Sequence, residues 1–161
     1  YLARELGLDG TAALAGEVHA RLAKVEIRVQ SAKQALGLKY AVTGALSPDE
    51  VELLTRGGAR GMSTFMSWFI LDAVAQTTGV DVAVDMMKEY YGAMLDRGAT
   101  TFFEDFDMDW LCGSGRIDEP TPPGQRDLHG DFGKFCYIGY RHSLCHGWSA
   151  GVITFIAKYC K

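Results

Sequence analysis

The sequence has no long apolar run. Although 48% of its 161 residues are hydrophobic, no stretch approaches the roughly 20 residues a membrane-spanning helix needs. It has no surplus of positive charge either. Sixteen Lys and Arg against twenty Asp and Glu leave a formal net charge of −4, which gives no electrostatic footprint for nucleic acid or an anionic membrane surface. Proline is scarce, and three of the four prolines fall within Glu119–Gly124, which can be neither helix nor central strand. Cys112, Cys136, Cys145 and Cys160 match no zinc or redox spacing, and are read as buried free thiols acting as small hydrophobes. His142, Cys145 and His146 lack the fourth ligand a structural zinc site requires. No short fixed period recurs in the first hundred residues, which speaks against a helical repeat array. No signal peptide is visible, and the opening at Tyr1 within a helical pattern points to a chain that continues upstream.

What is present is ordinary globular composition at the size of one domain, with helical periodicity over most of the first hundred residues. Leu14, Val18, Leu22, Val25 and Val29 recur at steps of three and four. The pattern starts near Gly10-Thr11 and runs to about Leu36, where Gly37 interrupts it. Ser47-Pro48-Asp49-Glu50 predicts a helix start, with Ser47 as cap, Pro48 in the first helical position and Glu50 closing a capping box. That helix should end near Gly57-Gly58. Two apolar stripes follow: Met62, Phe65, Met66, Phe69, Ile70, Ala73, Val74, and then Ala83, Met86, Met87, Tyr90, Tyr91, Met94, Leu95. Thr77-Thr78-Gly79 between them predicts an antiparallel helix hairpin with both stripes in the core. A last helix from near Ser149 places Val152, Phe155, Ile156 and Tyr159 on one face.

Between these helices, from Gly98 to about Gly130, the chain is rich in Gly, Pro and Asp. A loop of this length in a compact domain is often functional, and this one carries more aromatic and acidic residues than a linker needs. In Thr100–Trp110, read as extended chain, Phe106, Met108 and Trp110 point one way and Asp105, Asp107 and Asp109 the other. Glu104 falls on the aromatic side, where partial desolvation would raise its pKa into the range useful for acid–base catalysis. The competing interpretation is an acidic surface loop. The three aspartates also match the first ligand positions of an EF-hand, but Trp110 stands where glycine is required and Arg116 where the bidentate Glu belongs.

Two segments resemble a known family. Gly98-Ala99-Thr100-Thr101-Phe102-Phe103-Glu104 and Ser143-Leu144-Cys145-His146-Gly147-Trp148-Ser149-Ala150-Gly151 together look like the paired signature of glycoside hydrolase family 78, the α-L-rhamnosidases. Gly61-Met62-Ser63-Thr64-Phe65 and Tyr90–Arg97 are similar to the family's helices upstream of that signature. The similarity runs from about Gly61 to Lys161. Cys145 stands where many members have Asn, and the loop between the motifs is long.

The resemblance implies an all-α fold, part of an (α/α)6 six-hairpin toroid, with residues 1–161 as the C-terminal portion of one catalytic domain. It makes Glu104 the general base and His146 a substrate contact. Trp148, Asp105, Trp110, His129 and Arg141 are further candidates for the pocket wall, with the tryptophans stacking on sugar faces. The family's general acid has no counterpart in this sequence. No metal or cofactor is implied. The partners implied are a carbohydrate, a terminal α-L-rhamnoside, and the remainder of the catalytic domain. Two alternatives stand beside this one: a non-catalytic helical binding or scaffold module, and a different six-hairpin glycosidase or glycosyl phosphorylase.

Overall fold

The computed structural model describes residues 31–120, 123 and 143–161. Its regular elements are α1 (Ala32–Thr43), α2 (Pro48–Thr55), α3 (Ser67–Thr77), α4 (Val80–Asp96), short 3₁₀ turns at Met108–Leu111 and Gly147–Ala150, and α5 (Gly151–Tyr159). The described part is all-α, with no strand among the described residues.

Helix α1 corrects the expected interruption at Gly37. Ser31 caps its N-terminus by accepting the Gln34 N–H, and the helix ends at Gly44, which takes the left-handed conformation at φ 71°. Gly37 lies inside it. A Cβ there would sit 3.0 Å from both Cγ1 and the backbone N of Ile70. The glycine therefore marks a close helix crossing with α3 rather than a helix stop, and packing overrides its poor helix propensity.

Helix α2 follows its sequence signature. The Ser47 hydroxyl accepts from the Glu50 N–H, and the Glu50 carboxylate accepts from the Ser47 N–H at 2.9 Å. The chain leaves α2 through Gly57 and Gly58, with φ of 74° and 58°. This turn is held from both sides. The ammonium of buried Lys33 donates to the Arg56 and Gly58 carbonyls, while Glu89 of α4 accepts the Ala59 N–H at 2.8 Å. Burial lowers the Lys33 pKa to about 8, against the opposing pull of Glu89.

Helices α3 and α4 form the expected hairpin across Thr78-Gly79. The first stripe, however, does not start a helix at Met62, since α3 begins at Ser67. The hydroxyls just upstream explain the delay. The Thr64 hydroxyl donates to the Glu104 carbonyl at 2.5 Å, and the Ser67 hydroxyl donates to the Thr64 carbonyl at 2.8 Å. This segment is shaped by the later loop, and it leaves Phe65 exposed. In the second stripe Ala83, Met86, Tyr90 and Met94 are buried, whereas Leu95 is exposed.

The core packs Leu54, Ile70, Leu71, Val74, Tyr90, Met94, Phe103, Phe106 and Phe155 together. Helix α5 docks on α3 by Phe155 and by a polar clamp. Buried Asp72 accepts from the Lys158 ammonium at 3.0 Å and from the Tyr159 hydroxyl at 2.6 Å. Gly151 lets α5 approach, since a Cβ there would meet Trp68 Cβ at 2.9 Å. Ile156, expected on the buried face, is exposed, as is Ile153. The expectation of buried thiols fails at Cys112, Cys145 and Cys160, which are free and exposed. They sit in turns and at the end of α5 rather than on an apolar stripe. Cys136 lies outside the described residues.

Candidate active site around Glu104

The loop that carries Glu104 leaves α4 through Gly98, at φ 88°. That left-handed φ is what calls for glycine at the first residue of the motif, and a Cβ there would also push aside the Asp118 carboxylate, 2.5 Å away. Ala99 is buried, and the chain then runs as an irregular strap across the helix ends. Phe103 and Phe106 are both fully buried and meet edge to face at 6.3 Å. The Tyr90 hydroxyl donates to the Phe106 carbonyl at 2.6 Å.

This strap departs in part from simple alternation. Phe106, Met108 and Trp110 are buried and Asp109 is exposed, as expected, but Phe103 is buried beside a half-buried Glu104. The aspartates have local structural work. Asp107 accepts from the Asp109 N–H at 3.0 Å and so caps the 3₁₀ turn. Asp109 pairs with Arg60, and Asp105 accepts from the Phe106 N–H at 2.9 Å. No group of three or more His, Cys, Asp or Glu among the described residues is placed to hold a metal.

The two motif segments, nearly forty residues apart in the chain, are laced together around Glu104. The Glu104 N–H donates to the Ser143 carbonyl at 2.7 Å, and the His146 N–H donates to the Phe102 carbonyl at 2.8 Å. The Ser143 N–H donates to Glu104 Oε2 at 2.9 Å. Thr101 donates through its hydroxyl to the Leu144 carbonyl, and Ser149 to the Phe103 carbonyl. The Trp148 indole N–H donates to the Glu104 carbonyl at 2.6 Å, and that oxygen also takes the Thr64 hydroxyl. Tyr91 holds the arrangement from beneath. Its hydroxyl meets that of Ser67 at 2.8 Å and donates to the Ser149 carbonyl at 3.2 Å. Burial pushes this phenol up to about 12.

The indole bound to the Glu104 carbonyl belongs to a partly exposed aromatic cluster. Trp148 is 49% exposed and Phe65 is 52% exposed. Their ring centroids are 5.8 Å apart at an interplanar angle of 59°. The His146 imidazole lies 4.2 Å from the indole, and its Nδ1 is buried with no hydrogen-bond partner among the described residues.

Glu104, Asp105, His146 and Trp148 thus lie in one neighbourhood. Trp110 does not offer a sugar face. It is 4% exposed and packs edge to face on Phe106 at 6.3 Å, because the 3₁₀ turn at Met108–Leu111 rolls it into the core. His129 and Arg141 lie outside the described residues, as do His142 and, within Glu119–Gly124, Thr121, Pro122 and Gly124. Phe65 was missed from sequence because it fits a helical stripe. The hint was Ser63-Thr64, hydroxyl residues that favour a cap or turn over a helix interior.

A second feature borders the strap. An apolar groove of about 600 Å³ runs between α4 and α5, lined by Met87, Tyr91, Leu95, Phe102, Ile153 and Ile156 among others. No helix among the described residues is long and apolar enough to cross a membrane. Compared with protein-family models, with curated proteins and with solved structures, the chain matches none.

Proposed function

We propose that this chain is the C-terminal portion of an inverting glycoside hydrolase catalytic domain of the α-L-rhamnosidase type, with Glu104 as general base. The observation that carries the proposal is the lacing of the two motif segments at Glu104, whose half-buried side chain takes the Ser143 N–H and whose backbone carbonyl takes the indole N–H of half-exposed Trp148. A carboxylate beside exposed aromatic faces is the pairing that pyranoside chemistry needs. The rings accept the apolar face of the sugar and the carboxylate acts on its polar edge.

The chemistry follows from how Glu104 is held. Its Oε2 is tied by the Ser143 N–H, and Oε1 has no protein hydrogen bond among the described residues, which leaves it for a water. That water gives its proton to Glu104 while its oxygen bonds to the anomeric carbon from one face. The glycosidic bond breaks on the other face, and the leaving oxygen takes a proton from an acid elsewhere in the complete domain. Inverting enzymes separate the two carboxyl groups by about 6.5–9.5 Å to admit the water. In this reading the chain completes an (α/α)6 ring with the remainder of the domain, and the apolar groove lined by Leu95, Ile153 and Ile156 faces that remainder.

The test is hydrolysis of an aryl α-L-rhamnoside by the complete enzyme, with product stereochemistry followed by NMR. Inversion at the anomeric carbon supports the proposal. Retention, or turnover of a different glycoside in a panel, moves the chain to another six-hairpin activity. The same groove favours one rival, a non-catalytic helical module that docks a partner. Absence of turnover on every glycoside by the complete enzyme, with partner binding lost on substitution in the groove, selects that rival.

A further inference from the structure

We infer that Lys33 is a positioning residue for the Glu104 site, acting through the turn that joins α2 to Thr64. Its effect on turnover rests on the glycosidase proposal above; its effect on the geometry of the site does not. Three observations carry the inference.

First, the turn is gripped by one end of α1. Lys33 is 5% exposed, and its ammonium donates to the Arg56 and Gly58 carbonyls. The Ser31 hydroxyl donates to the Gly61 carbonyl at 2.5 Å, and the Gln34 amide donates to the same oxygen at 3.4 Å. From α4, Glu89 takes the Ala59 N–H at 2.8 Å. A lysine can serve the last carbonyls of a helix from the surface, and Lys39 of the same helix stays at the surface, paired with Glu50. Burying the Lys33 ammonium is costly unless its protons are bound, and the carbonyls it binds are those of this turn.

Second, the turn leads straight to the site. No helix lies between Gly61 and Ser67, and Met62, Ser63 and Thr64 are all buried. Three residues beyond Gly61, the Thr64 hydroxyl donates to the Glu104 carbonyl, and that oxygen also takes the Trp148 indole N–H. A close-packed segment this short has little slack in which to absorb a shift at its start. A displacement of Gly61 therefore reaches the backbone of Glu104, and a base that works on a water has to be held to within about 0.5 Å.

Third, the turn has a second attachment to the strap, and it is the weaker one. Arg60 pairs with Asp109, in the 3₁₀ turn that Asp107 caps. Both side chains of that pair are mostly exposed, where an ion pair contributes little. The buried, charge-assisted bonds of Lys33 carry the larger part of the constraint.

The experiment uses the full 161-residue chain and reads two NMR signals, the exchange of backbone amides and the indole N–H resonance of Trp148. The variants are Lys33→Met, Ser31→Ala and, as a control on the same helix, Lys39→Met. Lys33→Met should speed exchange at the Glu104 and Ser143 amides by about fivefold, the scale of one lost hydrogen bond, and shift the indole resonance upfield. Ser31→Ala should do the same to a smaller extent, and it decides the matter if a thermal melt shows Lys33→Met unfolded. Lys39→Met should change neither signal. Changes confined to residues 56–61, or equal changes in Lys39→Met, overturn the inference. In the complete enzyme, Lys33→Met should lower kcat by about fivefold with KM unchanged. A loosened strap with kcat unchanged overturns the positioning role and leaves the glycosidase proposal standing. Absence of turnover on every glycoside by the wild-type enzyme overturns that proposal and with it the catalytic part of the inference.

Discussion

Glu104 and Ser143 are joined by two hydrogen bonds that run in opposite directions. The Glu104 N–H donates to the Ser143 carbonyl at 2.7 Å, and the Ser143 N–H donates to the Glu104 carboxylate at 2.9 Å. The first fixes the backbone of the strap and the second fixes the rotamer of the side chain. Together they tie the carboxylate to the segment that supplies His146 and Trp148.

Glu104→Gln in the complete enzyme should abolish turnover and leave the fold intact. Gln keeps an acceptor for the Ser143 N–H but cannot take a proton from water. General-base assistance is typically about 10²–10⁴-fold, so the loss should fall on kcat more than on KM. Asp105→Asn should cost less, because the Asp105 carboxylate serves the Phe106 N–H of its own strap. Kinetics of both variants on an aryl α-L-rhamnoside, with thermal melts, check this. A larger loss at Asp105 would relocate the base.

Thr64→Val should shift the site without touching substrate. It removes the hydroxyl that donates to the Glu104 carbonyl at a fully buried position. The expected cost is about 1 kcal/mol of stability from the lost hydrogen bond. A lower kcat should accompany it, since the carbonyl that also holds Trp148 is loosened. Thr64→Ser, which keeps the hydroxyl, should restore kcat even if it leaves a small cavity. Rescue of stability without rescue of kcat would count against a positioning role.

Gly37→Ala should destabilise the chain, although alanine is the better helix former. Relief of helix propensity is worth about 1 kcal/mol. Against it, the added methyl meets Ile70 at 3.0 Å, and one of the atoms it meets is the backbone nitrogen, which cannot swing aside. Overpacking of this kind typically costs about 1–3 kcal/mol, so the melting temperature should fall.

Lys33 should give the chain a stability that rises with pH. Its folded pKa is lowered to about 8 from the ordinary lysine value of 10.5, so between those values the unfolded chain binds more protons than the folded one. Stability therefore increases with pH across that window. The penalty of burying the charge is fully present below about pH 8. Glu89 is the charge that opposes the shift. Denaturant melts of the wild type and Lys33→Met at pH 7.5, 9 and 10 check this. The difference between the two proteins should change with pH in the wild type's favour.

The groove between α4 and α5 should make this chain, handled by itself, associate as concentration rises. Leu95, Ile153 and Ile156 are exposed there, and open apolar patches of this kind promote association. Replacing Leu95 and Ile153 together with Gln should keep the chain monomeric in sedimentation runs at concentrations where the wild type self-associates.

The sequence by itself determined those features whose physics is local. The Ser47–Glu50 box set the start of α2, since its bonds lie within four residues. The Thr78-Gly79 break and the two apolar periods gave the α3–α4 hairpin. The all-α class was what the family resemblance implied, and the described residues agree with it. Phe106, Met108 and Trp110 could be read as one apolar side, but not Trp110 as core, because a sequence pattern does not say whether an apolar side meets protein or ligand. Tertiary structure decided everything that depends on two segments meeting. Gly37 resembled a helix stop until Ile70 was seen against it. Phe65 resembled core until the Thr64 hydroxyl was found committed to the Glu104 carbonyl, which delays α3 and turns the ring outward. Glu104 itself stood out as one carboxylate among aromatics. Its setting, with one oxygen bound by Ser143 and the carbonyl shared by Thr64 and Trp148, rests on hydrogen bonds between segments about forty residues apart, and such bonds have no period in the sequence to reveal them.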